Sequence, residues 1–292
     1  MTIATQILLN SLIAGLVLSL VSIGFAYIFR ITKVFHLAHA AVYVVGAYAY
    51  WWTESMLGHW ALGVLAALVT ITAFVVVLEK AVYLPLDRHR TDQSITLIAS
   101  MGSYVVLINL VAMLFGNENK VPANMAFGSF GMGGLIVTKA QFLQLGVSVL
   151  ALLFLYWLLK TTRAGLQLKA VADSAVLSQV LGIDTVRMRL VVFIGSSLLV
   201  AVAGILRTIE VGIDPQAGMG ITLTAIVVAI MVGRVHLGYL VMFAIGMTLL
   251  QNMIEWVANA QWRDGLTFFL LLLVVLFRTE GVLSYQLRKD NA

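Results

Sequence analysis

The hydrophobic residues of this chain fall in long blocks and not in an alternating pattern. Blocks of about 20 residues match the length that a helix needs to cross the hydrocarbon layer of a membrane. The alternation over roughly ten residues that is typical of a membrane β-barrel does not occur. The pattern predicts about eight or nine membrane segments among the apolar blocks, which are 6–29, 37–56, 60–83, 94–115, 140–159, 190–211, 221–232, 239–257 and 266–277.

The amino-acid composition also indicates a membrane protein. Hydrophobic residues make up 61% of the 292 residues, charged residues make up 11%, and the mean hydropathy is +1.01. A soluble domain carries about 25% charged residues, because water must solvate its surface. No segment has the composition of a disordered linker. We therefore predict an all-α fold, a polytopic transmembrane helix bundle that forms one domain over residues 1–292.

Basic residues predict the orientation of the bundle, because cytoplasmic loops near helix ends carry an excess of Lys and Arg. If Met1 lies outside and every block crosses once, one side collects 13 of the 18 basic residues. The N-terminus is then outside and the C-terminus is cytoplasmic. The basic residues on the cytoplasmic side are Arg30, Lys33, Lys80, Arg88, Arg90, Lys160, Arg163, Lys169, Arg187, Arg189, Arg278, Arg288 and Lys289.

Motifs for catalysis or cofactor binding are lacking in the sequence. The chain has no cysteine, which excludes a disulfide, a thiolate nucleophile and a Cys-ligated metal. It has no G-x-x-x-x-G-K-[ST] phosphate loop, no H-E-x-x-H and no paired-carboxylate cluster. We expect no catalytic residue, no metal and no cofactor in this chain. The net charge of +5 fits membrane orientation and not nucleic-acid binding.

Two histidines, His36 and His39, lie three positions apart and would share one face of a helix. The spacing is compatible with a metal, but no third ligand lies close in sequence. We predict that both side chains hydrogen-bond to the backbone near the cytoplasmic end of the second helix. Because they are polar groups in an apolar segment, they are also candidates for lining a translocation pathway.

The block 221–232 is too short to cross the membrane alone. Its 12 residues would span about 18 Å as a helix, against about 30 Å of hydrocarbon. Non-helical backbone at that depth is tolerated where protein or a water-filled cavity covers it. The break therefore predicts a translocation pathway lined by Gly233, Arg234, His236 and Gly238. Alternatively, Arg234 extends to the cytoplasmic headgroups and anchors the topology.

The charged loop 160–189 contains a predicted cytoplasmic helix over 168–181, with Gly182 in the C-cap position. Its apolar residues would form one stripe along that helix: Val171, Ala175, Val176 and Val180. A short helix tied at both ends to membrane helices can transmit a displacement from a partner protein. The alternative is a solvated connector.

The same loop carries a recognisable motif: Thr162-Arg163-Ala164-Gly165, then Lys169-Ala170, Asp173 and Leu181-Gly182-Ile183. A second motif is Phe35-His36-Leu37-Ala38-His39-Ala40 followed by Gly46-Ala47-Tyr48, and a third is Val82-Tyr83-Leu84-Pro85-Leu86. In this order they are similar to T-R-x-G…R-A…D…A…x-G-I, N-F-A-H-G…G-A-Y and Y-R-P-L. The whole chain thereby resembles the permease subunits of high-affinity branched-chain amino acid ABC importers, a group that includes urea and amide permeases.

The chain departs from the family pattern at two places. His36 stands where the family has Asn, and Ala40 stands where it has Gly. The segment 232–239 replaces a G-G-x-G-S-x-x-G-A loop and introduces Arg234 and His236. These departures bear on the substrate and leave the architecture unchanged.

The resemblance implies a pore-forming permease domain in the bacterial inner membrane that imports branched-chain amino acids or a related small polar solute. It implies two cytoplasmic ATPase subunits that bind ATP and Mg, a periplasmic binding protein, and a second homologous permease or another copy of this chain. Loop 160–189 would couple to the ATPase through residues that match the motif: Arg163, Gly165, Lys169, Asp173 and Gly182.

Two other functions remain open. An ion-coupled secondary transporter would need an intramembrane acid, for which Glu210 and Glu255 are candidates. Both lie near predicted helix ends, and Arg207 is one turn from Glu210 and could neutralise it. A membrane-embedded enzyme would need a catalytic constellation, and the sequence has none on either predicted face.

Overall fold

The apolar blocks form helices, as their length requires. The computed structural model describes residues 2–89, 91–122, 128–132, 135–233 and 236–277. The elements in those residues are α1 (Thr2–Thr32), α2 (His39–Leu57), α3 (Trp60–Leu78), a π-helical turn (Glu79–Tyr83), α4 (Leu84–Arg88), α5 (Gln93–Phe115), β1 (Ser129–Met132), β2 (Leu135–Thr138), α6 (Lys139–Thr161), α7 (Arg163–Asp173), α8 (Ala175–Val180), α9 (Thr185–Val211), α10 (Ala217–Val232), α11 (Leu237–Val257) and α12 (Trp262–Phe277).

The all-α membrane bundle predicted from the sequence is confirmed. Within the described residues, six segments are long and apolar enough to cross a membrane. They are α1, the segment from α3 to α4, α5, α6, α9 and α11, and α10 is a shorter apolar helix. The short interrupted segment is therefore real, although α10 begins four residues before the predicted block. The helix ends at Val232, and Gly233, which follows it, has φ +67°.

The start of α9 differs from the prediction because of a cap. The helix begins at Thr185, whereas the apolar block begins at residue 190. Asp184 precedes the helix with extended backbone, and its carboxylate accepts a hydrogen bond from the backbone N–H of Arg187 at 2.9 Å. An N-cap acid satisfies a donor that the helix leaves unpaired. The charged residues at this point therefore belong to the helix and not to the loop.

A two-stranded hairpin adds to the bundle in the stretch between the apolar blocks 94–115 and 140–159. Strands β1 and β2 are antiparallel, with Ser129 opposite Thr138. The side-chain amide of Gln6 on α1 donates to the carbonyl of Ile136 at 2.8 Å and accepts from its N–H at 3.0 Å. The Gln6 amide therefore pairs with the backbone at the edge of β2, and the two hydrogen bonds attach the hairpin to the start of α1.

We name the two ends of the bundle after one contact that lies at each. Arg30 pairs with Asp173 at one end, which we call the Arg30 end. At the opposite end, which we call the Gln6 end, Gln6 contacts Ile136. Of the basic residues that predict the orientation, four lie outside the described residues: Arg90, Arg278, Arg288 and Lys289.

Helix α1 lies at the centre of the bundle and packs against α6, α7, α9, α10 and α11. The close approach depends on glycine. A Cβ added to Gly15 would lie 2.6 Å from the Cα of Ile245 on α11. A Cβ added to Gly204 on α9 would lie 2.7 Å from the carbonyl oxygen of Tyr43 on α2. Small residues allow helix backbones to come this close in a membrane.

We expect Gly204→Leu to destabilise the protein, because the added side chain has no space beside Tyr43. Overpacking a tightly packed core costs about 1–3 kcal/mol. Gly195→Leu is the matched control, since Gly195 lies on the same helix and no atom lies within 4 Å of its added Cβ. Thermal unfolding in detergent should show a lower midpoint for Gly204→Leu alone. Equal midpoints for the two variants would contradict this packing.

Candidate functional site

The turn between α6 and α7 is built by Thr162 and Gly165. The Thr162 hydroxyl accepts a hydrogen bond from the N–H of Gly165 at 3.1 Å and so caps α7. A Cβ on Gly165 would lie 2.6 Å from the carbonyl oxygen of Leu159 on α6. Any larger residue would push α7 away from α6. The motif Thr-Arg-x-Gly therefore has a structural reason: it folds α7 back against the end of α6.

The single helix predicted over 168–181 is wrong, because two helices form there. Ser174 has extended backbone, with φ −155° and ψ 107°, and its hydroxyl accepts from the N–H of Leu177 at 3.2 Å. The serine thereby ends α7 and caps α8. The glycine predicted at the end of the helix does lie there, since Gly182 has φ +80° and its N–H donates to the carbonyl of Gln179 at 3.0 Å.

The break at Ser174 divides the predicted apolar stripe. Val171 on α7 is buried against the bundle, but Val176 and Val180 on α8 point outward. Four large apolar side chains on and after α8 are between 59% and 79% exposed, and we call them the α8 ridge: Val176, Leu177, Val180 and Leu181. A contiguous exposed apolar surface marks a contact site.

The charged residues of the predicted coupling loop lie on α7, the helix that precedes the ridge and contacts α8. Arg163 and Lys169 are exposed on α7. The Asp173 side chain is 74% exposed and pairs with Arg30 at 2.7 Å. Burial, and then repulsion by Arg30, lower the pKa of Lys33 from its ordinary value. Asp173 thus offsets part of the positive charge that gathers at the end of α1.

A buried ion pair fixes the start of α9, which follows α8 in the chain. Arg189 on α9 donates from Nε to Glu79 in the π-helical turn, and both side chains are buried. Its Nη1 also pairs with Asp87 on α4 at 3.0 Å. In the sequence, Arg189 contributes to the predicted orientation, and Glu79 carries no prediction. An acid inside an apolar block is nevertheless a signal, because such a residue needs a partner.

The two histidines lie in the core near the start of α2. His36 Nδ1 lies 2.7 Å from the Tyr83 hydroxyl, which donates to Ser100 at 2.9 Å. The predicted backbone partner is therefore wrong for His36 Nδ1, because the connector before α2 folds back beside the π-helical turn. Both rings are fully buried. Among the described residues, no group of three potential metal ligands occurs.

The predicted pathway residues after α10 lie at the surface where they are described. Gly233, His236 and Gly238 are exposed, and His236 immediately precedes α11. Arg234 lies outside the described residues. The role of these four residues in a pathway therefore stays a prediction.

A cavity of about 380 Å³ opens between helices towards the Gln6 end. It lies among α1, α2, α6, α9, α10, α11 and α12, and its charged lining residues are Arg207, Glu210, Arg263 and Asp264. Neither His36 nor His39 lines it. The cavity could not be predicted from the sequence, because its walls come from helices that are far apart in the chain.

Glu210 is held in place by three neighbours. Arg207 donates to one carboxylate oxygen at 3.1 Å, and Gln144 donates to the same oxygen at 3.0 Å. Gln141 donates to the other oxygen at 3.4 Å. The neutralisation of Glu210 by Arg207, which the sequence predicted, is confirmed. The second candidate acid, Glu255, lies 3.5 Å from Arg263.

Comparison with known proteins places this geometry in a family. Residues 7–276 match the family model described as "Branched-chain amino acid transport system / permease component". The chain is 26% identical over 294 residues to the high-affinity branched-chain amino acid transport system permease protein BraD of Pseudomonas aeruginosa, which covers 96% of this chain and 95% of that protein. It is 25% identical to the LivH permease protein of Escherichia coli K12, with the same coverage.

Two further proteins are similar to this chain. A probable LivH protein of Methanocaldococcus jannaschii is 27% identical over 241 residues, which are 80% of this chain and 75% of that protein. A solved structure of PsaBC from Streptococcus pneumoniae in complex with Fab aligns with a TM-score of 0.52 at 13% identity. The alignment covers 91% of this chain and 90% of that one, and it shows a common fold alone.

We expect Arg189→Met to destabilise the bundle by about 3–5 kcal/mol, because it leaves Glu79 buried and unpaired. The double variant Arg189→Met with Glu79→Gln should recover most of that loss, since no buried charge then remains. Unfolding of purified protein in detergent, treated as a double-mutant cycle, measures the coupling. Additive losses from the two substitutions would show that the pair contributes no coupling.

Proposed function

The chain belongs to the family of permease components of branched-chain amino acid transport systems, and from this premise we propose that α7 and α8 couple it to the ATPase. It is a multi-pass membrane protein and the permease component of an ABC transport system, whose ATPase is a separate subunit. The permease must therefore receive a mechanical displacement from a partner. The observation that carries the proposal is the α8 ridge.

The α8 ridge has the properties of a docking surface. It belongs to short helices between two long apolar ones, and it lies at the end of the bundle where Arg30 meets Asp173. The neighbouring helix α7 presents exposed charged side chains, which are Arg163, Lys169 and Asp173. An apolar centre with a polar rim is the usual anatomy of a protein interface. Gly165 and Gly182 support the proposal, because they lie at the turns before and after the α7–α8 segment and so hold the α8 ridge in place.

The charge distribution supports a cytoplasmic Arg30 end. Nine described basic residues belong to that end: Arg30, Lys33, Lys80, Arg88, Lys160, Arg163, Lys169, Arg187 and Arg189. Excess Lys and Arg favours the cytoplasmic side. In this orientation the N-terminus and the cavity face outward, and the C-terminus is cytoplasmic. The candidate pathway residues, His36, His39 and the four after α10, remain part of this proposal.

The proposed assembly contains two ATPase subunits, which would bind ATP and Mg, and a second homologous permease or another copy of this chain. A periplasmic binding protein would deliver the solute to the Gln6 end. The relatives BraD and LivH are named for high-affinity branched-chain amino acid transport. We propose import of branched-chain amino acids or a related small polar solute by this chain, in a bacterial inner membrane.

The test is a charge placed in the α8 ridge. Leu177→Asp and Val180→Asp should each lower co-purification of the ATPase subunits at least tenfold, because a central interface residue contributes about 2 kcal/mol or more. Both side chains are exposed, so the chain should still fold. Ile136→Asp is the control, since Ile136 is 61% exposed in β2 at the Gln6 end. Unchanged co-purification in both ridge variants would mean that the loop is only a connector.

A further inference from the structure

An apolar groove lies between α3 and α9 on the outside of the bundle, and we call it the α3–α9 groove. Its volume is about 680 Å³. The hydroxyl of its only polar lining residue, Thr72, donates to the carbonyl of Leu68 at 2.7 Å, so the groove offers no free hydroxyl donor. A wall of this kind suits a hydrocarbon chain. The lining residues are Leu68, Val69, Thr72, Ala73, Val76 and Leu198.

The α3 wall of the groove is followed by a basic residue. Val69, Ala73 and Val76 are three or four residues apart, and such residues lie along one face of a helix. Lys80 continues this spacing four residues after Val76, in the π-helical turn, and its side chain is exposed. A positive group therefore lies beyond the groove on α3, towards the Arg30 end.

The α9 wall ends in the same way. Leu198 lines the groove, and Ile194 and Val191 precede it at helical spacing. Arg187 lies four residues before Val191, and its side chain is exposed. A second positive group therefore lies beyond the groove on α9, again towards the Arg30 end.

The buried ion pair between Arg189 and Glu79 brings the two basic residues to the same height in the bundle. Lys80 directly follows Glu79, and Arg187 lies two residues before Arg189. Among the described residues, neither Lys80 nor Arg187 forms an ion pair. The acids nearest to them in the chain are engaged, since Glu79 pairs with Arg189 and Asp184 caps α9. Both cations are therefore available to an anionic ligand.

The position of Lys80 matches the depth of lipid headgroups. Trp60, which is 69% exposed, begins α3, and Trp is enriched where a membrane meets water. Lys80 lies 20 residues later on one continuous helix, which is about 30 Å, the thickness of the hydrocarbon layer. Basic sites between membrane helices bind the headgroups of anionic lipids. The groove thus lies at the depth of acyl chains and its two cations at the depth of phosphates.

We propose that the α3–α9 groove binds an anionic phospholipid from the leaflet at the Arg30 end. One acyl chain lies along the groove, and the headgroup phosphate lies between Lys80 and Arg187. The surrounding lipid tails are as apolar as the groove, so apolar contact alone does not select this lipid. The two cations supply the selectivity, about fivefold each. The site goes beyond the proposed coupling at α8 and does not depend on an ATPase.

Native mass spectrometry of the purified full chain tests the headgroup selectivity. The chain in detergent would be mixed with equal amounts of dioleoyl phosphatidylglycerol and dioleoyl phosphatidylcholine. We expect one retained phosphatidylglycerol, favoured about tenfold or more over phosphatidylcholine. The double variant Lys80→Gln with Arg187→Gln should bring the two lipids to within about twofold of each other, because it removes both cations.

A second double variant controls for net charge. Lys139→Gln with Lys160→Gln removes two exposed charges from α6 and should keep the preference for phosphatidylglycerol. Equal retention of the two lipids by the unchanged chain would overturn the proposal. The same loss of preference in both double variants would also overturn it, because the selectivity would then follow net charge and not this site.

Filling the groove tests the place of the acyl chain. Ala73→Leu adds a side chain to the groove wall, and Ala61→Leu makes the same change at an exposed position of α3 outside the groove. Both alanines are exposed, so both variants should fold. Ala73→Leu should lower retention of phosphatidylglycerol about fivefold or more, because extra methylenes overfill a close-packed contact. Equal retention by the two variants would overturn the groove as the binding site.

A helix of a partner protein is the rival occupant of the groove. Val77 is 63% exposed and follows Val76 in the chain, so Val77→Cys places a single thiol beside the groove. A benzophenone maleimide on this thiol, activated by light in cell membranes, should form an adduct with phosphatidylglycerol, enriched about fivefold or more over its share of the membrane. An adduct with another polypeptide, or with lipids in their bulk proportions, would overturn the proposal.

Discussion

The architecture depends on the close approach of helix backbones around α1. A membrane offers little hydrophobic force between helices, so packing must hold them together. Gly15 lets α1 touch α11, and Gly204 lets α9 touch α2. Gly218 brings the start of α10 against the carbonyl of Ala40 on α2. This last contact places the start of α10 against α2, and the first turn of α10 lines the cavity.

Polar contacts hold α9 at both of its ends. The ion pair between Arg189 and Glu79 joins its start to the π-helical turn, and a hydrogen bond from Gln144 on α6 to Glu210 joins its far end to α6. The 27 residues of α9 span about 40 Å. The helix therefore runs from the α8 ridge to the cavity wall. We infer that a displacement of α8 would reach the cavity through this rigid element.

The sequence predicted the elements better than the site. Apolar blocks as long as a membrane is thick leave few options besides helices, so the helices and their order were predictable. The number of membrane segments was not, since six segments of the described residues are long and apolar enough to span a membrane, against the eight or nine predicted. The predicted helix boundaries were wrong where polar residues cap a helix, as Asp184 and Ser174 do. Gly182 was predictable, because a helix end favours glycine. The cavity was not, since Tyr43, Arg207 and Asp264 meet only after their helices pack.

Uptake into proteoliposomes tests the coupling account most directly. The vesicles would contain this chain with its partner permease and ATPase, and the binding protein would be added outside. A thiol introduced by Ala175→Cys on α8 reports which side of the membrane the ridge occupies. The account predicts that L-leucine moves only when ATP is present on the α8 side, and that it moves towards that side. Uptake by this chain alone under a proton or sodium gradient, with no ATPase present, would contradict it.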